Sequence, residues 1–197
     1  MHGLINQAIE NFARETYGDA FWSGIAGRAR LGYERFEPMM IYDPQVSRRV
    51  LDALSQALDR PGGEVLEDIG TYLVSSSGTG AVRRLLRFSG TDFVDFLHAL
   101  DDLPARARLA VPELDMPGLL LRQNTARSFT LTIRTPCDAT FGFGRVVMGL
   151  LRAMADDYGA LVYLDYKGGC GDNEVIEVLV LETTFAEARA FDLGAPA

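Results

Sequence analysis

The chain has 197 residues, 48% of them hydrophobic and 23% charged, which is enough for one sizeable core and too apolar for disorder to dominate. A net charge of −8, with Lys167 the only lysine and the arginines scattered, argues against nucleic acid as a partner, because phosphate backbones are bound by clustered cations. Cys137 and Cys170 form no CxxC pair, and neither a basic-then-apolar leader nor a long apolar run occurs; we therefore expect no disulfide framework, no zinc site, no membrane span and a cytoplasmic location.

In chain order, "GLINQAIENFARETYG" places Leu4, Ile5, Ala8, Ile9, Phe12 and Ala13 at helical spacing, and Gly18 offers a stop. Asp19 is the expected cap of a second helix containing "AFWSGIAGRAR". Asp43 followed by Pro44 opens a third, "DPQVSRRVLDALSQAL", and Pro61, Gly62 and Gly63 break the chain after it. A fourth helix is read over "EVLEDIGTYLVSS", a fifth over "GAVRRLLRF" and a sixth over "DFVDFLHALDDL". Beyond the sixth, the chain reads as a polar elbow at Pro104 and an extended exit to Pro117.

The second half alternates instead. In "GLLLRQNTARSFTLTIRT" the positions Phe129, Leu131 and Ile133 come after a polar turn, which is the pattern of a hairpin. A helix, "FGRVVMGLLRAMADDYG", comes next, and two further strands, "ALVYLDY" and "VIEVLVLE", flank "KGGCGDNE". Helices first and a four-stranded antiparallel sheet second, interrupted by one helix, make an α+β fold. We expect one domain over residues 1–185, with a helical lobe over about 1–60, a sheet-containing lobe over about 61–185, and a tail over 186–197.

Chemistry-bearing motifs are few. "SSSGTGAVRR" lacks the lysine of a phosphate loop and reads as a helix junction, and "KGGCGDNE" reads as a hairpin turn. Only His2 and His98 could serve as imidazole bases; His98 is expected to pack or cap and His2 to be exposed. Arg83, Arg84 and Arg87, and the acidic pairs Asp101–Asp102 and Asp156–Asp157, are expected to be solvated. No enzymatic activity is expected.

The opening carries a resemblance. Met1, Gly3 to Asn6 ("GLIN"), Tyr17, Gly18 and Trp22, with "IGTYLV" at 69–74 and "FLHALDDL" at 96–103, resemble the haem nitric oxide/oxygen binding (H-NOX) family over nearly the whole chain. In that family a helix ending "NLDxLH" supplies the histidine that ligates haem iron, and a Tyr-x-Ser-x-Arg triplet clamps the propionates. Here the first reads "ALDDLP", with Pro104 at the ligand position, and the second reads Ile133, Thr135 and Cys137. Proline has no lone pair for iron, and the lost arginine fork removes the charge-assisted bonds to a carboxylate.

The resemblance places Met1, Leu4, Ile5, Leu73, Leu100, Leu103, Pro104, Pro117, Leu119, Ile133, Thr135, Cys137 and Leu150 around the pocket. With iron ligand and clamp both lost, the resemblance implies a non-enzymatic sensory domain with a degenerate haem site and no cofactor, lined by largely apolar residues. It would bind a hydrophobic small molecule or act through protein contacts, with a histidine kinase or a cyclic-dinucleotide enzyme as partner and neither nucleic acid nor membrane. The alternative is a haem-binding nitric oxide/oxygen sensor with an atypical axial ligand.

Overall fold

The computed structural model describes residues 1–76, 78, 80–87, 90–135, 142–170 and 173–189. Helix α1 (Gly3–Tyr17) buries Ile9, Phe12 and Ala13, the apolar face read from the sequence. Helix α2 (Asp19–Arg28) is capped by Gly18 and not by Asp19, which sits inside the first turn and pairs with Arg14. In α3 (Pro44–Leu58) the Asp43 side chain accepts from the amide of Gln45, a cap contributing about 1 kcal/mol. Helix α4 (Gly62–Ser75) absorbs the two glycines expected to break the chain, with Pro61 as its cap.

After α5 (Gly80–Arg87), the sixth expected helix divides in two. Helix α6 (Phe93–His98) closes in a turn, and α7 (Leu103–Ala110) starts immediately after it, with Pro104 in its first turn. The expected polar elbow is thus a helix start. A first-turn amide has no intrahelical acceptor, so proline loses nothing there and its fixed φ suits the helix.

Strands β1 (Gly118–Thr125) and β2 (Ser128–Arg134) form the expected hairpin, α8 (Phe143–Tyr158) comes after them, and β3 (Leu161–Cys170) pairs with β4 (Asn173–Glu182). The sheet is antiparallel in the order β1-β2-β4-β3. Most of "KGGCGDNE" is strand, since β3 runs to Cys170 and β4 begins at Asn173. Among the described residues no helix is long and apolar enough to cross a membrane.

Two apolar clusters result. One joins α1, α2 and α3 to Val65, Leu66 and Ile69 of α4; the other joins Val74 of α4, α5, α6 and α7 to the inner face of the sheet and to α8. Helix α8 reaches both, because Phe143 packs against each cluster and Val146 against the first.

The shared helices meet without side chains between them. A Cβ on Gly70 would lie 2.0 Å from the Val146 carbonyl oxygen, and one on Gly149 would lie 1.9 Å from that of Glu67. Gly70→Ala or Gly149→Ala should therefore lose about 1–3 kcal/mol by overpacking. Gly24→Ala, whose Cβ meets open space inside α2, should instead gain roughly 0.5–1 kcal/mol. Urea denaturation of the three variants checks this; equal effects would contradict the contact.

Candidate ligand-binding site

Strand β2 runs through the middle of the sheet, and its side chains alternate between the two faces. Phe129, Leu131 and Ile133 face the helices and are fully buried, each contributing about 1.5–3 kcal/mol by transfer from water. Thr135 continues the same periodicity at 9% exposure, and its Oγ1 is buried without a hydrogen-bond partner among the described residues. Arg134, between them, is exposed. Cys137 lies outside the described residues.

The turn from α6 to α7 packs against this face. Leu100 and Leu103 share a cluster with Leu119 of β1 and Ile133, and Leu150 of α8 packs against it half-buried. Pro104 is buried beside Leu103, and Pro117 is buried just ahead of β1. Asp101 ties the turn to the sheet by accepting from the Leu121 amide at 2.6 Å. The Asp101–Asp102 pair is therefore anchored on one side and is not simply solvated.

The remaining expected residues lie in α1, just ahead of it, or in α4. Met1 and Ile5 pack half-buried against the first cluster, while Leu4 and Leu73 are half-buried in α1 and α4. The Met1 amine donates to the Tyr42 carbonyl at 2.8 Å, and Gly3 donates to that of Met40 at 2.7 Å, so the start of α1 is clasped by the α2–α3 connection. The structure thus gathers Leu100, Leu103, Leu119, Ile133 and Leu150 in one cluster, and places Met1 and Ile5 against another.

Of the two histidines, His2 departs from expectation. His2 is buried, not exposed: it caps α1, with Nδ1 accepting from the Leu4 amide at 3.3 Å and Nε2 buried without a partner among the described residues. His98 is exposed at the end of α6, its ring 5.7 Å from that of Phe129. Asp157, expected to be solvated, is 1% exposed and accepts from Arg83 Nε at 2.7 Å, while Arg87 donates to its carbonyl at 3.0 Å. Arg83 therefore serves a buried carboxylate, and Arg87 the backbone carbonyl of the same residue. Among the described residues no three His, Cys, Asp or Glu side chains gather as a metal site would require.

Sequence reasoning missed the polar chain that joins α4, α8, β3 and β4. Glu67 of α4 accepts from Arg145 at 2.7 Å and from Arg152 at 3.1 Å, both on α8. The Arg145 guanidinium lies 4.0 Å from the Tyr166 ring centroid, and the Tyr166 hydroxyl donates to Glu174 Oε1 at 2.5 Å. The other oxygen, Oε2, accepts from the Gly144 amide at 2.9 Å, at the start of α8. Most of these links join residues far apart in the chain, so no local pattern announces them.

Comparison with known proteins gives the same outline. The haem-NO-binding family profile matches residues 2–164. Soluble guanylate cyclase gcy-31 of Caenorhabditis elegans is 25% identical over 157 residues, which are 80% of this chain and 22% of the cyclase. Soluble guanylate cyclase 89Da of Drosophila melanogaster is 19% identical over 161 residues, 82% of this chain and 24% of the cyclase. The chain spans less than a quarter of the length of these relatives.

Among solved structures, the Fe(II) unliganded H-NOX protein of K. algicida superposes with a TM-score of 0.78 at 15% identity, over 95% of this chain and all of that one. The Fe(II)NO H-NOX protein of S. oneidensis gives 0.76 at 14%, over 92% and 100%. At such identities the likeness is one of fold.

Burial, and then the bond to Glu174, push the Tyr166 phenol up to about 12. Its folded value is raised above the unfolded one near 10, so its contribution to stability is complete below pH 10 and is lost as pH rises from about 10 to 12. Ultraviolet titration should show a late phenol that Tyr166→Phe removes. A Tyr166 ionising near 10 would contradict the buried bond.

Proposed function

This chain belongs to the haem-NO-binding family of sensor domains, and from that premise we propose that it is a non-enzymatic sensory domain whose pocket no longer ligates haem iron in the family's manner. It takes a hydrophobic small molecule in that place, or signals through protein contacts alone. The observation that carries this reading is the placement of Pro104: buried, in the first turn of α7, where the family's histidine would stand.

A proline nitrogen is an amide without a lone pair for a metal, whereas haem iron is held by His, Cys, Met or Tyr. His98 stands six positions earlier, exposed against Phe129, and does not substitute for it. The clamp is weakened in parallel. Ile133 offers no hydroxyl, and Thr135 alone of the described clamp residues retains one. The described donors therefore do not fit haem held as in the family.

Signalling then requires a ligand that binds two arrangements of the lobes with different affinity. Residues 1–60 and 61–185 are proposed as those lobes, within one cytoplasmic sensory unit. A histidine kinase or a cyclic-dinucleotide enzyme is the proposed recipient of the signal.

A second reading, a haem sensor with an atypical axial ligand, draws on one observation: His2 Nε2 is buried without a partner among the described residues. Haem titration under reducing conditions separates the two. We expect no saturating Soret band for the unaltered chain, and Pro104→His should raise haem affinity about tenfold or more, ~1.4 kcal/mol. A Soret band that saturates at one equivalent and moves with nitric oxide would select the haem sensor, and its loss in His2→Ala would name the ligand.

A further inference from the structure

Resting on the proposed signalling through protein contacts, we infer that the connection between α2 and α3 is a docking edge, and that its partner is an extended acidic segment of another protein that pairs with the backbone at Ile41. Met39, Met40 and Ile41 are consecutive in the chain and are 65%, 54% and 63% exposed, whereas single exposed apolar side chains would need no explanation.

This segment is exposed but held. An isolated antiparallel bridge pairs Ile41 with His2: the Gly3 amide donates to the Met40 carbonyl at 2.7 Å, and the Tyr42 amide to that of Met1 at 2.9 Å. A Cβ on Gly3 would lie 2.1 Å from the Glu37 carbonyl oxygen, so α1 starts directly beneath the turn. The Tyr42 hydroxyl accepts from the Glu37 amide at 2.8 Å, and its ring meets that of Phe36 edge-on at 5.0 Å. A segment fixed before its partner arrives loses little freedom on binding.

The bridge also leaves a free edge. Its hydrogen bonds flank the His2–Ile41 pair, so the N–H and C=O of Ile41 point away from His2. Among the described residues neither group has a hydrogen-bond partner, and neither has the amide of Asp43, two residues on and therefore on the same side. Unpaired backbone groups in a row are a template for a further strand, and a peptide added there gains main-chain hydrogen bonds while the flexible Met39 and Met40 adapt to its apolar side chains.

Charge selects the sequence of that strand. Residues 28–49 carry five arginines against three carboxylates, a local +2, whereas the rest of the chain carries −10. Arg28, Arg30, Arg35 and Arg48 are exposed and belong to no ion pair among the described residues. Arg49 donates from Nε to the Ala29 carbonyl at 3.1 Å, which sets the end of α2 against the start of α3 and gathers the arginines at one end of the helix pair. An acidic segment is attracted here and repelled elsewhere. An anionic lipid surface fits less well, because the free N–H and C=O of Ile41 would lose water in lipid without gaining a partner, and the remaining −10 opposes approach.

The test uses the unaltered chain and a short fluorescein-labelled peptide that alternates glutamate with valine, read by anisotropy. We expect saturation at one equivalent, at least about tenfold weaker binding of a lysine-valine counterpart, and a similar loss when two adjacent central residues of the acidic peptide are N-methylated. The double substitution Arg35→Glu and Arg48→Glu should weaken the acidic peptide about tenfold and leave the thermal midpoint unchanged.

Absence of saturable binding, or equal binding of the lysine or the N-methylated peptide, overturns the docking edge. So does binding to phosphatidylglycerol vesicles tighter than to the peptide, and so does a sedimenting dimer that the double substitution dissociates, which would assign the edge to a second copy. The reading beneath it is judged separately: a protein retained from cell lysate equally by the unaltered and the doubly substituted chain removes this edge and keeps signalling by protein contact, whereas retention by neither removes that reading too.

Discussion

Where α4 and α8 cross, backbone meets backbone. Gly70 sits over the Val146 carbonyl and Gly149 over that of Glu67, and the Thr71 hydroxyl donates both to the Glu67 carbonyl and, at 3.3 Å, to that of Gly149. Any Cβ would push the helices apart, so two glycines that weaken their own helices are the condition for this close contact. Leu73 and Leu150 lie one turn or less beyond these glycines, and both are half-buried.

The crossing also explains why the ionic groups beside it are arranged as they are. With the helices pressed together, Glu67 comes within reach of Arg145 and Arg152, one turn before and one turn after Gly149. Arg145 then stacks on Tyr166, and Glu174 holds both that phenol and the Gly144 amide at the start of α8. Glu67 is partly shielded while both arginines are more exposed, so the ion pairs alone contribute modestly. Their geometric effect is larger: α4, α8, β3 and β4 are locked in one orientation.

Much of the architecture is legible in the sequence because it is written in local periodicity. The alternation of Phe129, Leu131 and Ile133 and the Asp43–Pro44 start both correspond to the observed strand and helix. The illegible part depends on contacts distant in sequence. Gly62 and Gly63 look like breakers yet open α4, because tertiary packing of Val65, Leu66 and Ile69 outweighs their poor propensity. His2 and Asp157 look like surface residues until the α1 clasp and Arg83 arrive from elsewhere in the chain. Pro104 reads as an elbow although Asp102 and the succeeding "ARARLA" are compatible with a helix start; a short helix of weak amphipathicity leaves little periodic signal.

The turn between α6 and α7 shows how a ligand position can be lost without loss of the fold. In the proposed reading, a side chain that once reached for iron stood in the first turn of a helix, one of the few helical positions where proline costs almost nothing. Replacing it there keeps α7 in place, and Leu100 and Leu103 on either side of the turn remain fully packed against Leu119 and Ile133. The scaffold that presents the position is held by apolar burial and by Asp101. A structure that does not depend on its cofactor for stability is free to exchange it.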